Sequence, residues 1–482
     1  MRASALGSFV LFGLLAAPHD AAASGYLTAR FGADHGTPAQ PNAFAVYFNP
    51  AALGGTQGTT ITGDASVLLR FVRYHRGADA LSPSTDAVLN EPGYRQANTG
   101  TANLTNLLAL PFLGFNTDFG TKNFRFGYAA YVPFGGLATW DRREGIPGQP
   151  GTRDGVSRWH NISGQILAIY NTFAVAYRIQ RRDRDYPALS IGASASPVIH
   201  HVATVRARNA DGSDDTVIGG ALKEGRSLID ATGVNIGVSG GLFFEPSEDL
   251  RFGLSYISQP GFGQTRMSGE LKTQLGDGAE STAKIDFLQT YPDIIRFGVG
   301  YKATRRLDFR ADFEFVRWSV FKNQCVVEKG ADCAVDPDGR RQNSPEGQRV
   351  QLNVPRNWNN AVGFRVGPGY MINDKLEAFG SLGMTTPAVP KETIDASTID
   401  ALRIYATAGV KYDFNKHFSL AGSYNHIYFL PVDTGGANNQ NLAEHPGNQP
   451  GGGDYNVSRS PSADGKYYSQ IGFVNINAAY TF

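Results

Sequence analysis

Between positions 189 and 208 the residue types alternate, and the alternation sorts the chemistry. Leu189, Ile191, Ala193, Ala195, Ile199, Ala203 and Val205 make one apolar row. The intervening positions carry Ser190, Ser194, His200, Thr204, Arg206 and Arg208. In a strand, residues two apart share a face, so the imidazole and both guanidinium groups point the same way. A guanidinium can hold a carboxylate through two parallel N–H donors. His200, Arg206 and Arg208 are therefore candidate contacts for the acid end of a small molecule; a solvated polar face is the alternative. No Ser/His/Asp arrangement emerges elsewhere. His201 and His426 fall on apolar rows without an obvious serine partner, so no catalytic residue is assigned and no enzyme activity is expected.

Cys325 and Cys333 are the only cysteines, with seven residues between them in a Gly/Asp-rich stretch. Two cysteines without a matching pair of histidines make a poor zinc site. In an oxidising compartment they would close a small loop as a disulfide. Neither a metal nor a cofactor is expected.

The elements that would position these residues repeat the same period of two. Ile61, Ala65, Val67, Leu69 and Phe71 alternate with Thr62, Asp64, Ser66 and Arg70. Leu307, Phe309, Ala311, Phe313 and Phe315 alternate with Asp308, Arg310, Asp312 and Glu314. Fourteen such segments are expected, near 59–74, 101–118, 123–134, 159–178, 187–208, 231–245, 250–257, 293–302, 307–320, 357–371, 375–386, 400–413, 418–429 and 466–482.

A soluble sandwich also alternates, so the connections decide. Short polar turns recur at 118–122, 180–185, 246–249, 303–306, 373–374 and 415–417. Long irregular connections lie near 138–158, 209–230, 258–292, 321–356, 387–399 and 430–466. Turns on one side and loops on the other is the pattern of an outer-membrane barrel. An even strand number puts both barrel ends on the periplasmic side, and closure leaves no unpaired edge in lipid.

The bulk composition agrees. There are 57 Gly, 30 Phe and 21 Tyr against 4 Met, and past the N-terminus no apolar run reaches the length of a helical span. A net charge of +1 argues against a nucleic-acid partner. Residues 1–23 read as a signal peptide: Arg2, an apolar stretch over 6–17, and Ala21-Ala22-Ala23 before a mature start near Ser24. At the other end Phe482 follows Tyr480, Ala478, Ile476 and Val474 at every second position, which resembles the signal read by the barrel-assembly machinery.

Residues 24–58 precede the first strand and contain Phe48-Asn49-Pro50-Ala51-Ala52-Leu53. Here the chain resembles the FadL/TodX family of outer-membrane transporters of long-chain fatty acids and aromatic hydrocarbons. Further likeness lies in Gly136-Leu137-Ala138-Thr139, in 232–256, in Tyr291-Pro292-Asp293, in 312–321 and in 387–412. The Cys325/Cys333 pair and the Gly/Asn-rich stretch 434–456 depart from it.

The resemblance implies an all-β, 14-stranded antiparallel transmembrane barrel over 59–482, with 24–58 as a plug in the lumen marked by Asn49, Pro50 and Ala51. It implies passive uptake of a hydrophobic small molecule through the outer membrane of a Gram-negative bacterium, by a monomer. Pro133, Phe134, Gly135 and Gly136 close the third segment. Proline cannot donate to a ladder and glycine permits a bend, so pairing fails there, or the loop simply begins. The resemblance favours a kinked strand with lateral exit. It also adds Lys322 to Arg206 and Arg208 as basic groups near the outer end of the lumen. A general diffusion porin is the rival reading; it would need no plug. No energy-coupling box is recognisable near Ser24.

Overall fold

The computed structural model describes residues 30–180, 185–337, 339–439 and 457–482. The expected signal peptide, the first plug residues 24–29, part of the turn at 180–185 and most of 434–456 lie outside these.

Fourteen strands form the wall: β1 (Thr59–Arg76), β2 (Gly100–Thr117), β3 (Phe124–Thr139), β4 (Ser163–Gln180), β5 (Ala188–Arg208), β6 (Gly225–Glu245), β7 (Leu250–Ile257), β8 (Ile294–Lys302), β9 (Leu307–Val316), β10 (Ala361–Met371), β11 (Leu376–Thr385), β12 (Arg403–Asp413), β13 (Phe418–Asp433) and β14 (Lys466–Thr481). Each is antiparallel to the next. β14 returns to β1 from Thr60↔Thr481 to His75↔Lys466, which closes the barrel.

Its polarity is inside out. On β1 Ile61 is 44% exposed, and Val67, Leu69 and Phe71 are similarly open, while Asp64, Ser66 and Arg70 are buried. A protein in water would reverse this. The ten steps from Ile61 to Phe71 span about 33 Å along a tilted strand, enough for the apolar band of an outer membrane.

The expected segment at 123–134 does not stop there. β3 runs through Pro133 to Thr139, because its outer half still pairs with β4. The segment expected to 320 ends at Val316, since its partner β8 begins at Ile294, opposite that residue.

Stretches expected to be loops hold, besides a separate two-residue pair (Val217–Ile218 with Ala221–Leu222), four further strands of the same sheet: Gln264–Gln274, Ser281–Thr290, Asn323–Glu328 and Val350–Pro355. The first pairs with the outer half of β6 and the others follow in turn, so the wall continues outward on that side. Met267, Leu271, Ile285, Phe287, Val326 and Leu352 face inward and cluster with Val202 and Ile229 of the wall. Cys325 and Cys333 are joined by a disulfide, Cα–Cα 6.1 Å, which ties the third of these strands to the turn after it.

The loops beyond β1 are fastened by a buried ion pair. Arg76 donates to Asp214 at 2.8 Å, and both side chains are fully buried. Arg76 also donates to the carbonyls of Ala80, Asn98 and Ser462, and Asp214 accepts from the Ser82 amide and the Tyr94 hydroxyl. Four separate loop segments meet there. Removing one partner of such a pair costs about 3–5 kcal/mol, because the other charge stays buried alone. Asp214→Ala should therefore make the outer loops protease-sensitive while the membrane strands stay protected. Unchanged cleavage kinetics in limited proteolysis would refute this.

Candidate functional site

Three features meet inside the barrel: a folded plug, a discontinuity in the wall, and a cavity beneath the outer loops.

The plug includes a short helix (Ala45–Phe48) and a 3-10 turn (Pro50–Gly55). Asn49 sits between them, fully buried. Its amide donates to the carbonyls of Pro38 and Leu242 at 2.9 and 3.0 Å, and its oxygen accepts from the Ala51 amide at 3.1 Å. One side chain thus fixes the plug's own turn and pins it to β6. Pro50, at the first position of the 3-10 turn, needs no N–H there. Glycines in the wall let the plug approach. A Cβ on Gly241 would lie 2.1 Å from the Asn49 oxygen, and one on Gly192 2.4 Å from the Ala51 nitrogen.

Charged groups complete the attachment. Arg296 donates to the Tyr47 hydroxyl at 2.7 Å and to Glu314 at 2.6 Å. Arg365 donates to the Gly36 carbonyl at 2.9 Å and pairs with Asp312 at 2.7 Å. His35 lies 3.0 Å from Glu377, which also takes a hydrogen bond from Arg310.

The wall is discontinuous beside β3. β2 pairs with β1 over its whole length, but with β3 only from Phe112↔Tyr131 to Thr117↔Phe126. On its other side β3 shifts register against β4 between Tyr131 and Phe134, leaving Val132 and Pro133 outside the ladder. From Ala129 to Ala138 every residue of β3 is buried, where a wall strand should alternate. The outer half of β3 has therefore turned inward, and β2 has no ladder partner on that side. The break is bridged at its outer end, where the Thr139 amide donates to the Asn106 side chain at 3.1 Å and the Asp141 amide to the Asn103 carbonyl at 2.9 Å. Leu107, on the lipid side of the break, is 60% exposed.

A run of aromatic rings passes this break. Trp358 contacts Trp318 (4.8 Å between centroids), Trp318 contacts Phe134 (6.2 Å), Phe134 contacts Tyr170 (6.2 Å) and Tyr170 contacts Tyr131 (5.6 Å). Tyr131 reaches Phe31 of the plug (5.6 Å). Beside it a small cavity, about 230 Å³ including its open mouth, lies between the plug residues Val46 and Tyr47 and the wall.

Further out, the larger cavity encloses about 700 Å³ including its open mouth. Gly136 and Ala138 of β3 form one side and Ile229, Phe287, Val326 and Leu352 the apolar wall; Arg206, Arg356 and His160 are its basic groups. Burial pushes the His160 imidazole down to about 4, so it is neutral near pH 7. Arg356 pairs with Asp395 at 2.8 Å.

The sequence-derived candidates separate here. Arg206 lines the cavity. His200 lies deeper, fully buried, with its ring stacked on Tyr291 at 4.9 Å. Arg208 turns to the Gln351 carbonyl at 3.3 Å. The Lys322 side chain is exposed, and its carbonyl accepts from the amides of Arg356 and Asn357. Arg356 ends the expected connection 321–356, where no alternation marks which way its side chain points. Gly237-Val238-Ser239-Gly240-Gly241 does have the spacing of a nucleophile elbow. It lies within β6, not at a strand-to-helix turn, and Ser239 bonds Ser194 at 2.6 Å. Among the described residues no His, Cys, Asp and Glu group could hold a metal.

Over residues 19–463 the chain matches the family described as outer membrane protein transport protein (OMPP1/FadL/TodX). No curated protein matches it by sequence. Among solved structures it is similar to a Pseudomonas aeruginosa FadL homologue, with TM-score 0.70 and 15% identity over 96% of this chain and 99% of that one. The P. putida toluene transporter TodX gives 0.62 and 14% over 95% and 99%. The Ralstonia pickettii toluene transporter TbuX gives 0.58 and 16% over 92% and 94%.

Proposed function

Since this chain belongs to the OMPP1/FadL/TodX family of outer membrane transport proteins, we propose that it takes up long-chain fatty acids or aromatic hydrocarbons passively and releases them sideways through the break between β2 and β3. The observation that carries the reading is that break: a wall strand turned inward at Pro133, in contact with both the outer cavity and the aromatic run.

Each buried CH₂ favours the cargo by roughly 0.8 kcal/mol, so a long acyl chain prefers a continuous apolar path to a watery channel. The cavity offers that surface first. Along the rings, Phe134 leads from Trp318 to the inward turn of β3. Straight passage would require the plug to leave, against the hydrogen bonds of Asn49, Arg296 and Arg365. Sideways release requires only that apolar side chains at the break part, after which the cargo meets lipid.

A diffusion porin fits less well, because the plug occupies the lumen at Asn49 and fastens to the wall around it. Uptake of labelled oleate and of labelled toluene into cells carrying the protein tests the reading. Uptake of at least one, above that of cells lacking the protein, is expected; uptake of neither would refute it. Conductance in planar bilayers separates the rival, which would pass ions steadily.

A further inference from the structure

Among the described residues Arg70 is a cation without a counter-charge. It faces inward from β1 and is 4% exposed, yet its Nε and Nη1 have no hydrogen-bond partner among the described residues. No carboxylate among the described residues pairs with it or acts on it. The arginines around the plug differ: Arg296, Arg310 and Arg365 each hold an acidic partner.

Its surroundings are apolar. In register Arg70 lies opposite Asn106 on β2 and Ile471 on β14. Leu68 and Val72 flank it on its own strand, and Leu104, Leu108, Ile471 and Phe473 belong with them to one buried hydrophobic cluster. The Ser469 hydroxyl, opposite Val72, is also buried and has no partner among the described residues. Burying an unpaired guanidinium costs several kcal/mol, a cost that an arriving anion offsets.

Position gives this a direction. Asn106, the cross-strand neighbour of Arg70, is the residue whose side chain bridges the outer end of the wall break to Thr139. Neighbouring strands lie about 4.8 Å apart, so Arg70 stands one strand from the break. It does not line the outer cavity.

We propose that Arg70 is an anion-docking station inside the lumen, which takes the carboxylate of an amphiphilic acid while its apolar tail lies toward the break. This rests on the channel reading and narrows it: the cargo is an organic acid with a long apolar body, not a neutral hydrocarbon. The guanidinium gains two-point hydrogen bonds to the carboxylate, and the Ser469 hydroxyl can add a third.

The test uses the full-length protein in a non-ionic detergent, with equilibrium binding of oleate and of oleyl alcohol to the wild type, Arg70→Met and Arg70→Lys. Oleate affinity is expected to fall about 10- to 100-fold in Arg70→Met, from loss of charge-assisted bonds, with oleyl alcohol unchanged and Arg70→Lys recovering part of the loss. Arg70→Met should also unfold no more easily than the wild type, since an unpaired buried charge has been removed. Equal oleate binding by Arg70→Met and wild type would overturn the proposal, as would parallel loss of both ligands. Should Arg70→Met fail to assemble, the wild type alone decides, because equal affinity for oleate and oleyl alcohol overturns it. Binding of neither ligand by the wild type would defeat the channel reading itself.

Discussion

Pro133→Val combined with Gly135→Val should abolish uptake of hydrophobic cargo while the barrel still assembles. The inward turn of β3 rests on two local facts. Proline has no N–H to give a neighbouring strand, and a Cβ on Gly135 would lie 3.1 Å from Val132 and 3.5 Å from Leu167 in the present bend. Valine at both sites restores a donor, favours extended backbone and crowds the bent form. β2 then offers an unpaired edge over 104–111 with which β3 can zip. Each ladder hydrogen bond contributes about 0.5–1.5 kcal/mol, and several would form. Each 1.4 kcal/mol toward the closed wall lowers the open fraction tenfold, so about 3 kcal/mol from several such bonds lowers uptake about 100-fold. Gly136, which lines the outer cavity, is left in place, so cargo binding should persist. Heat-modifiable migration in gels would report an intact barrel. Undiminished uptake would remove the lateral exit from the account.

Asn49→Leu with Gly241→Val should free the plug and turn a closed barrel into a leaky one. The leucine leaves the carbonyls of Pro38 and Leu242 and the amide of Ala51 without the partners Asn49 supplies. Each buried orphan costs about 1–3 kcal/mol. The added valine enters the space that the Asn49 oxygen fills, 2.1 Å from the Cβ position. A combined loss of about 3 kcal/mol or more raises the plug-displaced population by roughly a hundredfold or more. Planar bilayers should then show long open events that are rare in the wild type. Identical conductance would mean that the remaining plug–wall hydrogen bonds, those of Arg296 to Tyr47 and Arg365 to Gly36 among them, hold the plug without Asn49.

Much of this architecture is legible in the sequence because lipid imposes a strict rule on a wall strand. One face must be apolar and the other is free to be polar, so Ile61 to Phe71 or Leu307 to Phe315 announce themselves residue by residue. Above the membrane the rule lapses. The strand Gln264–Gln274 buries Met267 and Leu271 among Arg, Ser, Glu and Lys, a mixture that reads as loop. β3 departs for a related reason: with both faces buried at Pro133, alternation ends while the strand continues. The site is harder still to read. That Gly241 faces Asn49, or that Arg206 and Arg356 share a cavity, depends on contacts across 150 to 192 residues that no local pattern carries. Arg70 was visible only as one polar position among several; its isolation is a property of the assembled wall.

The most direct measurement follows the cargo itself. A fatty acid with a photoactivatable group near its tail, loaded into the protein in lipid vesicles and irradiated, should mark the residues along its route. Adducts on Leu107 and Leu110 of β2 and on Val132 and Phe134 of β3 are the predicted result, with fewer adducts after Pro133→Val and Gly135→Val. Adducts confined to the plug and the periplasmic turns, with none on either side of the break, would contradict it.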